Sequence, residues 1–284
     1  MKEAARQARA ENHLVGLVPT MGALHEGHLS LVRRAKEECT RVYSSIFVNP
    51  KQFGPNEDFA KYPRAVDSDA AKFEELGVDA LFAPASEEMY PTTFSTYVTV
   101  EGISDRLEGR SRPGHFRGVS TVVLKLFEIV QPDFAYFGRK DAQQVAVLQK
   151  MGRDLNLGVQ IVICPIIREP DGLALSSRNA YLNPEDRRAA LVLHRSLDRA
   201  RAELAAGTRD SLQIQEAMRA VFAKEPRARL DYAEVVSADT FEPVLRVSRA
   251  SYVLVAAHLG KTRLLDNMLV EPAGTNSSAL VFQL

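Results

Sequence analysis

The sequence predicts an α/β protein with a doubly wound parallel sheet, followed by a smaller α+β C-terminal domain. Short apolar runs alternate with amphipathic segments up to about residue 180, which is typical of βαβ units with right-handed crossovers. Beyond that point the texture changes to helical stripes and then to a group of strand-like runs. The chain has 284 residues, enough for one large or two modest domains.

Apolar runs bounded by turn residues predict the strands of the parallel sheet. They lie at residues 14–18, 42–48, 79–83, 134–137 and 159–167. Apolar faces and helix-ending residues predict helices at residues 1–12, 29–39, 67–76, 119–130 and 145–155. Residues 84–118 are expected to be rich in loops. Because ligands of such sheets bind at the carboxyl ends of the strands, His25, Asn49 and Gln52 are expected to line one crevice.

The C-terminal region begins with a strong helix-start signal. Asn183 is an expected N-cap, followed by proline at the first helical position and acids in the first turn. A second helical stripe runs over residues 214–222, and three strands are expected at residues 232–236, 252–257 and 264–268. We place a domain boundary near residue 179, giving domains of residues 1–179 and 180–284.

Composition excludes several classes of partner. The 36 basic and 36 acidic side chains cancel, so no global field favours nucleic acid or an acidic membrane. Both cysteines, Cys39 and Cys164, lie in apolar patterns and are expected to be buried free thiols, as in a reducing cytosol. No apolar run approaches membrane-spanning length. We therefore expect a cytoplasmic protein with neither a nucleic-acid nor a membrane partner.

The turn between the first strand and the next helix, residues 19–28, is a candidate phosphate site. Free amides and the positive end of the helix dipole favour an anion there. His25 and His28 are three residues apart, so both rings can face the turn and donate to phosphate oxygens. Gly22 and Gly27 would let the backbone approach a nucleotide. A pair of surface histidines is the alternative, and a zinc site lacks a third ligand.

Two further stretches carry groups that suit a nucleotide. Residues 138–141 lie at a strand-to-helix junction, where Lys140 could reach phosphates and Asp141 could accept from ribose hydroxyls. The alternative is a helix cap with a solvated lysine. Residues 175–178 combine two hydroxyls and Arg178 after a turn, which suits a clamp that closes over phosphates. A polar linker with an incidental arginine is the alternative.

The loop at residues 110–117 holds three arginines and a histidine. These side chains could attract an acidic substrate, although charged loops are usually only solvated. Tyr62 and Gln52 are candidates from their position after strand ends. Because Gln52 is neutral, it would orient a polar substrate rather than transfer protons.

Several motifs coincide in order along nearly the whole chain. They are Pro-Thr-Met-Gly-Ala-Leu-His-Glu-Gly-His at 19–28, Ser-Ile-Phe-Val-Asn-Pro at 45–50, Gln-Phe at 52–53, Tyr-Pro-Arg at 62–64, Arg-Pro-Gly-His-Phe-Arg-Gly-Val at 112–119, Leu-Ser-Ser-Arg-Asn at 175–179 and Leu-Gly-Lys-Thr-Arg-Leu-Leu-Asp-Asn at 259–267. In this combination the chain resembles the pantothenate synthetase (pantoate–β-alanine ligase) family, within the nucleotidyltransferase superfamily that carries the His-x-Gly-His motif.

The resemblance implies a Rossmann-like fold and a two-step reaction. The carboxylate of pantoate would attack the α-phosphate of ATP, with Mg²⁺ assistance, giving pantoyl adenylate and pyrophosphate. The amine of β-alanine would then attack the mixed anhydride and release AMP and pantothenate. Residues 1–179 would bind ATP and pantoate, residues 180–284 would close over the active site, and the protein would be a homodimer.

The resemblance also implies roles for individual positions. His28, His25 and Lys140 would be catalytic. ATP would be bound by Met21, Gly22, Ala23, Leu24, His25, Glu26, Gly27, His28, Gly138, Arg139, Lys140, Asp141, Ile167, Leu175, Ser176, Ser177 and Arg178. Pantoate and β-alanine would be bound by Gln52, Gln144, Asn49, Tyr62 and Arg112.

The sequence departs from the family pattern at a few positions. Arg139 stands where the family usually has Glu, and Ala142 where it has an aromatic residue. Asp69 matches one position of an acidic cluster associated with magnesium, but Ser68 and Lys72 occupy neighbouring positions. Magnesium would then be held mainly by ATP phosphates. Another nucleotidyl transfer on the same fold and a non-catalytic nucleotide-binding protein are the alternative functions.

Overall fold

Five parallel strands form the sheet of the first part of the chain in this computed structural model, which describes residues 1–55, 57–273 and 280–284. The strands are β1 Val15–Thr20, β2 Arg41–Ile46, β3 Ala80–Phe82, β4 Phe134–Gly138 and β5 Gln160–Cys164. Their order is β3-β2-β1-β4-β5, and every pair is parallel. The winding reverses between β1 and β4, and sheets of this kind bind ligands at the carboxyl ends beside such a reversal. The predicted doubly wound sheet is confirmed.

Helices precede and connect these strands. They are α1 Lys2–Ala10, α2 Glu26–Glu38, α3 Val66–Glu75, α4 Ser86–Met89, α5 Glu108–Ser111, α6 His115–Val130 and α7 Ala142–Asp154. Short 3₁₀ turns lie at Pro50–Gln52, Ile103–Asp105, Arg139–Asp141 and Ser177–Tyr181. Val18, Val32 and Tyr136 are among the buried residues that pack the sheet against its helices. Cys39 and Cys164 are buried free thiols, as predicted.

The region 84–118 contains more helix than the sequence predicts. Two helices of one turn each, α4 and α5, lie within it, and α6 begins at His115 rather than near residue 119. Gly114 adopts a left-handed conformation as the N-cap of α6, with φ of 84°. The first turn of α6 contains polar residues and Gly118, so its apolar periodicity starts only one turn later.

The second part of the chain is an antiparallel sheet with helices. The sheet has the order β6 Ala228–Ser237, β7 Ser251–Leu259, β8 Thr262–Pro272 and β9 Leu280–Gln283. The helices are α8 Pro184–Ala189, α9 Leu191–Ala205 and α10 Ser211–Phe222. The predicted N-cap is confirmed, because Asn183 Oδ1 accepts a hydrogen bond from the Asp186 amide at 2.8 Å. Strand β9 was not predicted from the sequence, because its four residues are too few to show a clear alternation.

Contacts divide the chain earlier than residue 179. One unit contains residues 1–139 and 143–164, and the other contains residues 140–142 and 165–284. Residues 165–179 go with the second unit because Arg168 forms an ion pair with Asp266 of β8. The backbone of Lys140 also accepts a hydrogen bond from Asn267. The functions assigned to the two parts stay predictions.

None of the helices in the described residues is long and apolar enough to cross a lipid bilayer.

Candidate active site

The turn after β1 places two imidazole rings at the start of α2. His25 is the N-cap of the helix, and its Nδ1 accepts a hydrogen bond from the Gly27 amide at 3.1 Å. The His25 amide in turn donates to His28 Nδ1 at 3.3 Å. Since a backbone amide can only donate, both Nδ1 atoms are acceptors, and each neutral ring carries its proton on Nε2. Two Nε2–H donors beside a helix N-terminus suit an anionic ligand.

The backbone of this turn is held in an unusual conformation by a buried carboxylate. Gly22 and Ala23 both have positive φ, of 82° and 52°. Asp69 accepts hydrogen bonds from the amides of Ala23, at 2.7 Å, and Leu24, at 2.9 Å. A Cβ atom at Gly22 would lie 3.1 Å from both Asp69 Oδ2 and Ile46 Cγ2. Glycine therefore relieves both the backbone strain and the crowding at this position.

These contacts change the interpretation of Asp69. Both of its oxygens accept backbone amides, and the residue is only 1% exposed. No group of three or more His, Cys, Asp or Glu side chains in the described part of the chain is arranged to hold a metal ion. We assign Asp69 a structural role in the turn, and its match to the acidic cluster associated with magnesium stays a prediction.

Replacing Asp69 with asparagine is expected to destabilise the turn without changing the magnesium requirement. The amide offers one acceptor oxygen where two amides need acceptors, so the free energy of unfolding should fall by about 1–3 kcal/mol. Chemical denaturation and a magnesium titration of activity would measure the two effects. The exposed Asp67 on the same helix provides the control, Asp67→Asn. A raised magnesium requirement in Asp69→Asn alone would contradict the structural role.

Asn49, which follows β2, has a side-chain amide whose orientation is set by its partners. Its Oδ1 accepts hydrogen bonds from the Lys51 amide at 3.2 Å and from the Tyr90 hydroxyl at 2.8 Å. Its Nδ2 donates to the Gly118 carbonyl at 3.1 Å and to Gln52 Oε1 at 3.0 Å. A backbone amide and a backbone carbonyl thus fix which end of Asn49 is oxygen and which is nitrogen. The buried side chain of Asn49 therefore orients the side chain of Gln52.

The orientation of Gln52 follows from that of Asn49. Because Asn49 Nδ2 is a donor, the Gln52 atom that faces it is the acceptor Oε1. Gln52 Nε2 then lies on the other side, 3.0 Å from Met21 Sδ in the turn after β1. A thioether is a weak acceptor, so this donor is available for a stronger one such as a carboxylate. Gln52 therefore belongs to one surface with the turn at residues 19–28, which we call the histidine turn. This surface lies at the carboxyl ends of β1 and β2.

Arg112 is engaged with protein groups rather than with solvent. Its guanidinium donates to both carboxylate oxygens of Glu57, at 2.9 and 2.5 Å, and to His115 Nε2 at 3.1 Å. The side chain is 14% exposed. Its charge is thus largely neutralised by Glu57, which favours a structural role over contact with an acidic substrate. Tyr62 is similarly buried and packs edge-on against Phe53, with ring centroids 5.8 Å apart.

His115 connects Arg112 to the backbone of Gln52. A guanidinium can only donate, so His115 Nε2 accepts and His115 Nδ1–H donates to the Gln52 carbonyl, at 2.8 Å. The ring must therefore be neutral. Burial, with the nearby Arg112 charge, lowers the pKa of His115 to about 4. This neutral ring holds the turn that carries Gln52.

The depressed pKa of His115 predicts a pH-dependent stability. Its ordinary pKa is 6.5 and its folded value is about 4, so between these values the unfolded chain binds the additional proton. The contribution is fully present above about pH 6.5 and is lost as the pH falls towards 4, for a total of about 3 kcal/mol. Chemical denaturation across this range should show a smaller loss of unfolding free energy for His115→Asn than for the wild-type protein. Asparagine keeps a donor near the Nδ1 position. Identical pH slopes in both proteins would contradict the assignment.

The two adjacent glutamines of α7 have different surroundings. The Gln143 side chain is buried, accepting from the Glu108 amide at 3.0 Å and donating to the carbonyls of Ile103 and Arg106 at 2.8 and 2.9 Å. Gln143 therefore holds the loop before α6, a role that sequence reasoning missed because the pair carries no signal of which member is buried. Gln144 is only partly buried, and its role as a pantoate ligand stays a prediction.

The remaining candidates lie in ordered local structure rather than in a plain linker. The amide of Leu175 donates to the Ile167 carbonyl at 3.0 Å, and Arg168 bridges to Ala174. The following Ser177–Tyr181 turn is capped by Ser176, whose Oγ accepts from the Arg178 amide at 3.3 Å. Residues 167–178 thus form a hairpin that leads into a capped turn, in which Ser177 and Arg178 both lie.

Lys140 and its neighbours lie in the 3₁₀ turn that follows β4. Lys140 Nζ is 3.8 Å from Asp141 Oδ1, and the lysine side chain is 21% exposed. Arg139 and Ala142 are both buried, so the two departures from the family pattern are not solvated surface changes. Gly138 ends β4 and has open space where a Cβ atom would lie.

A doubly wound sheet whose first strand leads into a helix N-terminus with two histidines is the arrangement typical of nucleotide-binding α/β proteins. The family model described as pantoate-beta-alanine ligase matches residues 1–269. The chain belongs to this family.

Relatives and solved structures agree with that membership. The chain is 55% identical over 274 residues to the pantothenate synthetase of Koribacter versatilis, covering 96% of this chain and 94% of the relative. It is 59% identical over 256 residues to that of Acidobacterium capsulatum, covering 90% and 86%. The crystal structure of pantothenate synthetase from Thermus thermophilus is 47% identical, covers 93% of this chain and 96% of its own, and gives a TM-score of 0.88.

A further solved structure contains ligands. It is pantoate-beta-alanine ligase from Francisella tularensis complexed with beta-gamma ATP and beta-alanine. It is 34% identical to this chain, covers 94% of both chains and gives a TM-score of 0.75.

Proposed function

We propose that this protein is an ATP-dependent pantoate–β-alanine ligase that condenses (R)-pantoate with β-alanine and releases AMP and pyrophosphate. The observation that carries this proposal is the surface formed by the histidine turn and Gln52. It offers Nε2–H donors beside a helix N-terminus and a fixed amide donor next to Met21. Adenylation of a carboxylate requires hydrogen-bond donors for the phosphate of ATP and further donors for the carboxylate that attacks it. The ATP and β-alanine of the Francisella tularensis complex support the same substrate classes.

In the first step an oxygen of the pantoate carboxylate attacks the α-phosphorus of ATP, and the bond to the β-phosphate oxygen breaks to release pyrophosphate. Negative charge builds on the α-phosphate oxygens, where His25 and His28 donate through Nε2–H. Gln52 and Gln144 hold the carboxylate in line with phosphorus. Activation is needed because a carboxylate is a poor acyl donor until one of its oxygens leaves as part of AMP.

In the second step the neutral amine of β-alanine attacks the acyl carbon of pantoyl adenylate. The C–N bond forms, the C–O bond to AMP breaks, and the amine loses a proton to solvent. We assign Lys140 to the phosphates of ATP in the first step and to the phosphate of the departing AMP in the second step, where its charge offsets the charge that develops on the leaving group. Magnesium would be held by the ATP phosphates rather than by a cluster of protein ligands.

The remaining ATP contacts that we propose lie along the segments described above. They are Met21, Gly22, Ala23, Leu24, Glu26, Gly27, Gly138, Arg139, Asp141, Ile167, Leu175, Ser176, Ser177 and Arg178. The part of the site that binds pantoate and β-alanine is supported by Asn49, Tyr62 and Arg112. They contact Gln52 or residues around it. We also propose a homodimer that works in the cytoplasm, which light scattering and cell fractionation would test.

Isotope exchange between pyrophosphate and ATP tests the function directly. We expect exchange that requires pantoate and does not require β-alanine, because adenylation is complete before the amine enters. AMP should accumulate with turnover only when β-alanine is added. Absence of pantoate-dependent exchange would contradict the proposal. Exchange with a different acid in place of pantoate would identify another nucleotidyl transfer on the same fold.

A further inference from the structure

Strand β8 carries two adjacent polar side chains that the proposed reaction does not use. Asp266 is 2% exposed and Asn267 is 0% exposed. They belong to the Leu-Leu-Asp-Asn segment at residues 264–267, which contributed to the family resemblance but received no role. Burying a carboxylate and an amide costs free energy unless both are hydrogen-bonded. Their partners therefore indicate what the two side chains hold in place.

Asp266 holds the hairpin that precedes the capped turn. Its two oxygens accept hydrogen bonds from Arg168 Nη1 and Nη2, at 2.7 and 2.9 Å. Arg168 Nη1 also donates to the Gly172 carbonyl at 2.9 Å, across the same hairpin. A two-point arginine–carboxylate pair fixes direction as well as distance. The hairpin at residues 167–175 is thus oriented by β8.

Asn267 holds the backbone of the proposed catalytic lysine. Its Nδ2 donates to the Lys140 carbonyl at 2.8 Å. The Asn267 amide donates to Asp266 Oδ1 at 2.8 Å, which connects this contact to the ion pair with Arg168. One pair of neighbouring residues on one strand thereby contacts both the Lys140 turn and the hairpin.

The groups held in this way border one space. Lys140, Ser176, Asn179 and Asp266 line a common small cavity within the second unit. Stability alone does not explain the choice of polar residues, because a buried ion pair can often be replaced by apolar residues at no loss of stability. What such a replacement would lose is the fixed placement of Lys140 relative to Ser176.

We propose that Asp266 and Asn267 are positioning residues that hold Lys140 and the segment 175–178 in one arrangement for the phosphates of ATP. This inference rests on the proposed function, since it requires that these segments bind a nucleotide. Neither residue touches substrate in this assignment. Asn267 acts through the backbone carbonyl of Lys140, and Asp266 acts through the guanidinium of Arg168.

Asn267→Asp is the most direct test, because it keeps the size of the side chain and replaces the Nδ2 donor with an oxygen that faces the Lys140 carbonyl. We expect the KM for ATP to rise by about 10-fold and the kcat of pantoate-dependent exchange to fall by about 10²-fold. The KM values for pantoate and β-alanine should stay within about twofold, since their ligands lie on other segments. Arg168→Lys, which keeps the charge but loses the two-point pair, should shift the same parameters in the same direction and is available if Asn267→Asp fails to fold.

Gln215→Leu is the matched control for a purely structural loss. Gln215 is also buried in the second unit, and its Nε2 donates to Glu234 Oε2 at 3.1 Å, away from Lys140 and the hairpin. This variant should lower the melting temperature while leaving the KM for ATP unchanged. An Asn267→Asp protein that behaves like Gln215→Leu, with a lower melting temperature and an unchanged KM for ATP, would overturn the inference.

Calorimetric titration of ATP in the absence of pantoate separates this inference from the proposed function. If the wild-type protein binds ATP but shows no pantoate-dependent exchange, the proposed reaction is wrong. The positioning inference then still predicts weaker ATP binding in Asn267→Asp and in Arg168→Lys, but not in Gln215→Leu. Equal ATP affinity in all four proteins would overturn it.

Discussion

Replacement of His28 by alanine is expected to lower the kcat of pantoate-dependent exchange by about 10²–10³-fold, with ATP affinity changed only a few-fold. The reason is the position of the ring, whose Nδ1 accepts from the His25 amide and whose proton therefore lies on Nε2. A donor of this kind gains most of its interaction energy when charge develops on the α-phosphate oxygens, so its loss should appear in kcat. Exchange kinetics and calorimetric titration of ATP would measure the two quantities.

Two conservative variants sharpen this prediction. The amide nitrogen of glutamine can reach the position of Nε2, whereas that of asparagine is closer to Nδ1. His28→Gln should therefore keep more exchange activity than His28→Asn, although it loses the contact with the His25 amide. Equal activity in the two variants, or a loss that appears only in ATP affinity, would contradict a role of Nε2–H in the chemical step.

Replacement of Gln52 by glutamate is expected to reduce kcat/KM for pantoate by about 10²-fold or more, with little change in the KM for ATP. Glutamate can still accept from Asn49 Nδ2, as Gln52 Oε1 does at 3.0 Å. Its second oxygen would then stand where Nε2 now donates, and it would repel the carboxylate of pantoate. Steady-state kinetics with each substrate varied in turn would measure the change.

Gln52→Ala provides the comparison for the charge. It removes the donor without adding a repulsive group, so its loss in kcat/KM for pantoate should be smaller, about 10-fold. A larger loss of kcat/KM for pantoate in Gln52→Glu than in Gln52→Ala would indicate that an anion binds at this position. The reverse order would mean that Gln52 binds something other than a carboxylate.

The doubly wound sheet was predictable because its signals are local. Each strand is an apolar run that ends at a turn residue, and the start of α8 is marked by Asn183 and the proline after it. The same local signals fail where an element is short or begins with polar residues. That is why α4, α5, β9 and the first turn of α6 were missed.

The composition of the site was partly predictable, but the connections within it were not. The positions of His25, His28 and Gln52 after strand ends follow from the alternation of strands and helices. The role of Asp69 does not, because its partners are backbone amides of a distant turn and leave no pattern in the sequence. The same holds for the neutral state of His115, which follows only once Arg112 and the Gln52 carbonyl are seen on either side of the ring.

The contact between Asn267 and Lys140 has a consequence for how this chain can recombine with its relatives. A crossover at residue 179 would take Lys140 and the 167–175 hairpin from one parent and their β8 support from the other. A functional chimaera therefore has to carry compatible residues at positions 140, 168, 266 and 267, although residues 140 and 267 are far apart along the chain. Where the parents differ at any of these four positions, gene shuffling should enrich crossovers that keep all four from a single parent.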